Sequence, residues 1–179
     1  MSKLLITSDL HLGHRNICKY RTQFSSADEH HNFIFENLAT NVGKRDTLYI
    51  LGDCAFDKFW LEKVKGIKCQ HKKLICGNHD TEHHTMKELC DVFDSVESLL
   101  SKRNMWFSHC PIHPQEMRGR LLNIHGHLHN HKVGSFEERG YMGMYEDVFI
   151  ENKRYFNACV EHTNYKPISF AEIMEIRGL

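Results

Sequence analysis

Five short apolar runs recur along the chain, and each is followed, directly or after one glycine, by Asp, Asn or His. The runs are rich in β-branched and aliphatic residues and stop at a glycine or a polar residue, which is typical of buried strands. They occupy residues 4–8, 47–51, 73–76, 105–108 and 121–126. The second run leads through Gly52 to Asp53. This pattern predicts a buried strand that delivers a carboxylate at its carboxyl end.

Between the first two predicted strands, apolar residues recur at the spacing of a helix. Ser26 and Glu29 have the spacing of a capping box, and Ile34 and Leu38 follow on one helical face, which predicts a helix that ends near Gly43.

Three further helices are predicted by the same reasoning. Asp57 can cap a short helix that ends at Gly66, for which a left-handed conformation is predicted. Residues 86–93 predict a third helix. Ser169 and Glu172 form a second capping box, which opens a terminal helix. The alternation of strand and helix is typical of a parallel α/β domain.

The later part of the chain predicts antiparallel pairing. Residues 96–100 and 105–108 flank the polar segment 101–104 and are typical of a hairpin, so we expect a mixed sheet. Segment 131–153 is charged, contains three glycines and shows neither the helical nor the strand spacing of apolar residues. It is interpreted either as a hairpin with a mobile tip or as a lid. Residues 155–160 predict a last strand.

The bulk composition predicts one soluble domain over residues 1–179. Apolar residues make up 41% of the 179 residues, and Lys plus Arg equals Asp plus Glu at 23 each. There is therefore no basic surplus of the kind that draws a protein onto duplex nucleic acid. No leader and no apolar stretch long enough for a membrane span are found, so we expect a cytoplasmic protein without a membrane partner. Seven cysteines without a Cys-x-x-Cys pair favour reduced, mostly buried thiols.

The polar residues at the strand ends predict a metal centre. The chain has 15 histidines, and the carboxyl ends of strands in an open α/β sheet face one site. Carboxylate, carboxamide and imidazole together suit Mn, Fe, Zn, Co or Ni. Seven ligands are too many for one open ion and suit two ions that share a carboxylate, for which Asp53 is the natural bridge. The candidates are Asp9, His11, Asp53, Asn78, His109, His127 and His129.

These blocks resemble a known family. In order along the chain they are Asp9-x-His11, Gly52-Asp53, Gly77-Asn78-His79-Asp80, Ser108-His109 and Gly126-His127-Leu128-His129. The ordered set is similar to the five motifs of calcineurin-like metallophosphoesterases. Residues 10–17, 155–157 and 164–167 are similar to the small single-domain members of bacteria and phages. The resemblance implies a four-layer α/β/β/α sandwich with two mixed β-sheets.

The resemblance also implies a role for each block. One ion would take Asp9, His11, Asp53 and His129, and the other Asp53, Asn78, His109 and His127. Manganese is the favoured metal. A metal-bridging hydroxide would attack phosphorus, His79 would protonate the leaving oxygen, and Asp80 would orient the imidazole of His79.

The loop after the first strand supplies candidates for substrate binding. His14, Arg15 and Asn16 lie where they would face the site. A polar surface loop explains the same residues equally well.

The function predicted from the sequence is hydrolysis of phosphodiesters, either small ones such as cyclic nucleotides or the ends of a nucleic acid. Phosphomonoesterase and phosphoprotein phosphatase activity are alternatives. Phosphoprotein phosphatases of the family continue Gly-Asp with Asp-Arg-Gly, whereas Gly52-Asp53 is followed here by Cys54. A partner-binding scaffold on the same fold is the non-enzyme alternative, and the retention of Asn78 and His79 speaks against it.

Overall fold

Two mixed β-sheets form the centre of the molecule. The structure is a computed structural model and describes residues 2–141 and 144–179. The strands are β1 (Leu4–Thr7), β2 (Thr47–Ile50), β3 (His71–Ile75), β4 (Ser95–Glu97), β5 (Leu99–Lys102), β6 (Met105–Ser108), β7 (Leu122–His125), β8 (Gly134–Tyr141), β9 (Met144–Glu151), β10 (Tyr155–Asn157) and β11 (Ile168–Ser169). The first sheet has the order β11-β1-β2-β3-β4 and the second β10-β7-β6-β5. The predicted α/β class with two mixed sheets is confirmed.

Five helices are described, and all but the third begin at a side-chain cap. They are α1 (Ala27–Asn41), α2 (Lys58–Lys65), α3 (Asp80–His83), α4 (Met86–Val92) and α5 (Phe170–Arg177). Ser26 caps α1 and Asp57 caps α2 through backbone N–H groups three residues on, and Ser169 forms a complete capping box with Glu172. Gly66 ends α2 at φ −66°, so its predicted left-handed conformation is wrong.

The run at 96–100 does not form one strand of a hairpin. β4 pairs in parallel with β3 in the first sheet, whereas β5 pairs antiparallel with β6 in the second. The run is therefore divided between the sheets at Ser98, and the predicted hairpin holds only for its second half. A short apolar run gives no signal for such a crossing, because both halves are equally compatible with a strand.

Strand alternation divides the core into two layers. Leu5, Leu48 and Leu74 point to one face of the first sheet, where they pack against Leu38 of α1 and other apolar residues of α1, α2 and α4. Their neighbours Ile6, Tyr49 and Ile75 point to the other face, where they pack against Phe107, Ile124 and Phe156 of the second sheet. The first sheet is buried on both faces, which fixes its carboxyl ends in the interior.

The outer face of the second sheet is covered by a loop. Trp106 Nε1 donates to Glu116 O at 3.1 Å, and Ile112 N donates to Asn123 Oδ1 at 2.9 Å. Tyr155 donates from its hydroxyl to Ile112 O at 2.8 Å. The fourth layer is therefore segment 110–121 with the 3-10 helix Pro114–Met117.

The segment at 131–153 contains a two-stranded hairpin. β8 and β9 pair antiparallel with each other along their whole length. Its predicted tip includes Met142 and Gly143, which lie outside the described residues. Among the residues that are described, no helix is both long and apolar enough to cross a membrane.

All seven cysteines are free, as the sequence predicts. The expectation that most are buried is wrong, because only Cys54 and Cys159 have buried side chains. Both lie beside the predicted metal centre.

Candidate metal centre

The predicted ligands come together at the carboxyl ends of β1, β2, β3, β6 and β7. They form two clusters that share Asp53. The first cluster contains Asp9, His11 and His129 with Asp53, and the second contains Asn78, His109 and His127 with Asp53. Groupings of Asp9, His11 and His129, and of Asp9, Asp53 and His109, each bring their ligand atoms within 4.8 Å of one another.

The first cluster gathers around Asp9 Oδ1. This oxygen lies 3.6 Å from His11 Nε2 and 3.8 Å from His129 Nε2. Asp53 Oδ2 lies 3.8 Å from the same nitrogen of His11. Four potential ligand atoms therefore surround one small volume.

The second cluster gathers around His109 Nε2. This nitrogen lies 3.5 Å from Asp53 Oδ2, 3.0 Å from Asn78 Oδ1 and 3.1 Å from His127 Nδ1. A single oxygen of Asp53 thus faces both clusters. The other oxygen, Oδ1, accepts the backbone N–H of His79 at 3.0 Å, which fixes the rotation of the carboxylate.

The hydrogen bonding of the first cluster fits a cation. Asp9 Oδ2 is near three donors: the backbone N–H of His127 at 2.8 Å, the thiol of Cys159 at 3.0 Å and the hydroxyl of Ser8 at 2.5 Å. Asp9 Oδ1 and His11 Nε2, by contrast, are buried and have no hydrogen-bond partner among the described residues. Buried polar atoms are normally paired. A bound metal ion would satisfy both this acceptor oxygen and this imidazole nitrogen, which lie 3.6 Å apart.

The ionisation of these side chains also suits ligation. Burial favours the neutral form of Asp9, but the adjacent His11 and other neighbours more than offset this effect and hold its pKa well below the usual range. Burial lowers the pKa of His11 and of His127 below that of a free imidazole. Ionised carboxylate and neutral imidazole are the forms that bind metal.

Two of the imidazoles are oriented from their other nitrogen. His109 Nδ1 lies 2.8 Å from Leu51 O, and His129 Nδ1 lies 2.9 Å from Glu161 Oε1. Because the acceptors are oxygens, each Nδ1 carries the proton and each Nε2 keeps its lone pair for the centre. The hydrogen bond to Glu161 raises the pKa of His129.

The backbone at these positions has an uncommon conformation. Five of the seven predicted ligands have positive φ angles, which for residues other than glycine are sparsely populated. They are Asp9 at 58°, His11 at 49°, Asp53 at 51°, His127 at 69° and His129 at 47°. Residues held in this region cluster at functional sites, where surrounding contacts maintain them.

Glycines allow the loops to approach one another. A Cβ on Gly126 would clash with Ser8 Oγ and Asp9 Oδ2, and one on Gly77 would clash with Asp53 Oδ1. A Cβ on Gly52 would clash with His109 Nδ1. In the three sequence blocks that contain a glycine, the glycine is therefore required because a proposed ligand of another block occupies the space of its side chain.

The predicted role of Asp80 in orienting His79 is wrong. Asp80 is buried, and its two oxygens accept the backbone N–H groups of Asp53, Cys54 and Gly77. Instead, His79 Nδ1 lies 2.7 Å from Glu82 Oε2. His79 and Glu82 are three residues apart at the start of α3, so they share one helical face, whereas Asp80 points to the neighbouring loop.

A cleft of about 550 Å³ opens beside the first cluster. His14 and His79 line it, but Arg15 and Asn16 do not, and both are exposed. Of the three predicted substrate-binding residues, only His14 therefore lies in the cleft. Its pKa is lowered by burial and by neighbouring imidazoles.

Sequence reasoning missed several residues of this cleft. Tyr20, Arg21, Phe56 and Glu161 also line it. Phe56 packs against the rings of four histidines: His11, His14, His79 and His83. Arg21 and Glu161 are joined across 140 sequence positions, so no local spacing could have paired them.

Comparisons with known proteins bear on the whole chain. The family model described as calcineurin-like phosphoesterase matches residues 2–171. The Gene 66 protein of Mycobacterium phage L5 is 29% identical over 168 residues, which cover 73% of this chain and 79% of the phage protein. An uncharacterized protein of Methanocaldococcus jannaschii is 26% identical over 181 residues, which cover 98% and 92%.

A solved structure has the same overall arrangement. It is a protein of unknown function from Aquifex aeolicus, with a TM-score of 0.67 and 25% sequence identity. The match covers 98% of this chain and 100% of that protein.

Proposed function

Because the chain belongs to the calcineurin-like phosphoesterase family, whose members hydrolyse phosphate esters with divalent metal ions, we propose that it is a phosphodiesterase with a dinuclear centre. The proposed ligands are the two clusters, with Asp53 shared between them. Manganese is the proposed metal among Mn, Fe, Zn, Co and Ni, all of which suit a donor set of carboxylate, carboxamide and imidazole without thiolate.

The observation that carries this proposal is the position of Asp53 Oδ2. It lies 3.8 Å from His11 Nε2 and 3.5 Å from His109 Nε2, and the other oxygen of the same carboxylate is held by the His79 N–H. One oxygen is thus directed at both clusters. The open atoms Asp9 Oδ1 and His11 Nε2 support a cation at the first cluster. When bound, the two ions would supply positive charge for the phosphate and a nucleophile derived from water.

His79 is the proposed proton donor. Its imidazole lines the cleft and is partly exposed, with Nδ1 held by Glu82 at 2.7 Å. That contact leaves Nε2 free to face the leaving oxygen of a substrate. Glu82 fixes the orientation of the ring, so that Nε2 is the nitrogen proposed to donate the proton.

The charge of the cleft favours a diester over a monoester. Among the described residues that line the cleft, Arg21 is the only arginine or lysine. Its guanidinium N–H groups are directed at Glu161, at two backbone carbonyl oxygens and at His30. Among the described lining residues, no arginine or lysine is therefore left unpaired to bind the second negative charge of a monoester.

A nucleotide or a nucleic-acid end is the proposed class of diester. The exposed ring of Tyr20 and the ring of Phe56 lie in the cleft beside the first cluster. Aromatic faces of this kind bind nucleobases by stacking.

The proposal is tested with the purified protein, manganese, bis(4-nitrophenyl) phosphate, 4-nitrophenyl phosphate and a short single-stranded oligonucleotide. We expect a higher kcat/KM for the aryl diester than for the aryl monoester, and loss of both activities after chelation. Asp53→Asn should abolish turnover, whereas the exposed Asp91→Asn should not change it. A preference for the monoester would identify a phosphomonoesterase, and full activity of chelated, metal-free protein would exclude the dinuclear centre.

A further inference from the structure

One arginine is buried directly behind the first cluster. Arg21 is 2% exposed. Its Nη2 donates to Asp9 O at 2.6 Å and its Nη1 to Leu10 O at 3.3 Å. Nη1 also lies 2.8 Å from His30 Nε2. A buried charge is retained only where its hydrogen-bonding capacity is nearly filled. Here two of the N–H groups are accepted by the segment that carries two proposed ligands.

The two carbonyl groups bound by Arg21 belong to a segment under backbone strain. Asp9 and His11 have φ angles of 58° and 49°. Each such residue costs on the order of 1–3 kcal/mol unless its surroundings maintain it. Arg21 grips Asp9 O and Leu10 O between these two positions, so its guanidinium stabilises the conformation that directs both side chains to one point.

Glu161 connects the same arginine to a third proposed ligand. Glu161 Oε1 accepts from Nε and Nη2 of Arg21, each at 2.9 Å, and from His129 Nδ1 at 2.9 Å. The proton on His129 Nδ1 leaves Nε2 directed at Asp9 Oδ1, 3.8 Å away. One ion pair therefore contacts the backbone of Asp9 and the side chain of His129.

We propose that Arg21 and Glu161 are positioning residues that set the metal affinity of the first cluster selectively. This inference rests on the proposed function, since it presumes that the clusters hold metal. Arg21 and Glu161 orient Asp9, His11 and His129. The second cluster is oriented by different groups, among them Leu51 O behind His109.

Segment 164–167, which is similar to the small family members, packs against this pair. The ring of Tyr165, from residues 164–167, lies over the Arg21 guanidinium at 5.9 Å from ring centroid to Cζ. Tyr165 also packs edge-on against Phe24. The segment thus covers the ion pair on one side, and His30 covers it on another. The 3-10 helix Val160–His162 carries Glu161.

The test measures metal directly. Wild type, Glu161→Gln, Arg21→Lys and Arg21→Met are stripped with chelator, titrated with Mn²⁺ by calorimetry, and examined by elemental analysis and electron paramagnetic resonance. Arg21→Lys keeps the charge but cannot reproduce the fork of contacts. The exposed Glu36→Gln and Arg45→Met make the same chemical changes away from the centre and serve as controls.

Wild type and both controls should bind two ions and give the spectrum of a coupled pair. We expect Glu161→Gln and the Arg21 variants to keep one ion, with roughly 10- to 100-fold weaker binding of the other, the usual effect of losing an outer partner of a ligand. Their spectrum should be that of an isolated manganese ion.

The outcomes separate this inference from the proposed function. Wild type that binds no metal overturns the proposed function and the inference with it. Wild type and variants that all bind two ions with equal affinity overturn only the inference, as does equal weakening of both ions in Glu161→Gln. If Arg21→Met does not fold, Glu161→Gln and Arg21→Lys decide the question by the same measurements.

Discussion

Asp80 holds the loop that carries Asp53. Its Oδ2 accepts the Asp53 N–H at 2.9 Å and the Gly77 N–H at 2.8 Å, and its Oδ1 accepts the Cys54 N–H at 2.9 Å. A buried carboxylate thereby ties the loop after β2 to the loop after β3. The proposed shared ligand is positioned through its backbone by the residue that follows His79.

Replacing this carboxylate by an amide should loosen the centre. In Asp80→Asn one oxygen becomes an NH2 group, so at least one backbone N–H faces a donor and is left unsatisfied. We expect the free energy of unfolding, measured with urea, to fall by about 1–3 kcal/mol. Manganese affinity should fall as well, and the exposed Asp91→Asn should change neither quantity. Unchanged stability would mean that these three hydrogen bonds contribute nothing net.

His79 should be needed for proton transfer and not for metal binding. His79→Ala should retain both ions and lose about 10²- to 10⁴-fold in kcat, the usual contribution of a positioned proton donor. The deficit should grow with the leaving-group pKa across aryl and alkyl diesters, because an alkoxide needs a proton and a nitrophenolate does not. His83→Ala, which removes the neighbouring imidazole against Phe56, is the matched control. An equal deficit for every leaving group would assign His79 to substrate binding instead.

Two Gly→Ala variants should distinguish the effect of backbone strain from the effect of a changed site geometry. Gly119 has a φ of +78° and an added Cβ would meet no atom within 4 Å, so Gly119→Ala should lose roughly 1–2 kcal/mol of stability and keep both ions. Gly126→Ala places its methyl group on Ser8 and Asp9. We expect a similar or larger loss of stability, about 1–3 kcal/mol, together with loss of metal from the first cluster. Elemental analysis of both variants distinguishes the two effects.

The folded chain should lose stability in mild acid through His30. Burial, and then the charge of Arg21, lower the pKa of His30 from 6.5 to about 2. His31 faces it at 2.9 Å, and the positive forms of His11 and His14 lower its pKa further. The unfolded chain takes up this proton near pH 6.5 and the folded chain does not. The contribution of neutral His30 is therefore complete above pH 6.5 and is lost as the pH falls toward 2.

A variant isolates this contribution. His30→Gln keeps an acceptor for Arg21 but cannot titrate, so its stability should depend less on pH than that of wild type. Between pH 7 and pH 5 the difference should approach about 2 kcal/mol, at about 1.4 kcal/mol per pH unit below the unfolded pKa. Urea unfolding at both pH values measures it, with the exposed His71→Gln as control. Parallel pH profiles for wild type and His30→Gln would contradict the assignment.

The sequence predicts the parts of this molecule that depend on neighbouring residues. Strand ends followed by polar residues indicate where the candidate ligands lie, because parallel strands deliver their carboxyl ends to one edge. The caps at Ser26, Asp57 and Ser169 depend on a residue three positions on, and each was placed correctly.

The parts that the sequence does not predict depend on contacts between distant segments. The partners Arg21 and Glu161 lie 140 positions apart, Glu161 in the 3-10 helix Val160–His162. The run at 96–100 is divided because its first half pairs with β3 and its second half with β6. Asp80 shows that two residues adjacent in sequence need not have side chains in contact. It follows His79 directly, yet α3 turns its carboxylate to another loop and brings Glu82 to the imidazole.

The left-handed backbone at Asp9, His11, Asp53, His127 and His129 limits how this chain can change through evolution. A substitution at any of these positions must suit both the centre and the φ angle, and β-branched residues fail the second requirement. Glycine would relax the backbone while deleting the ligand. If the proposed ligand roles hold, a descendant released from selection for hydrolysis could gain stability by the same replacements that remove the proposed ligands.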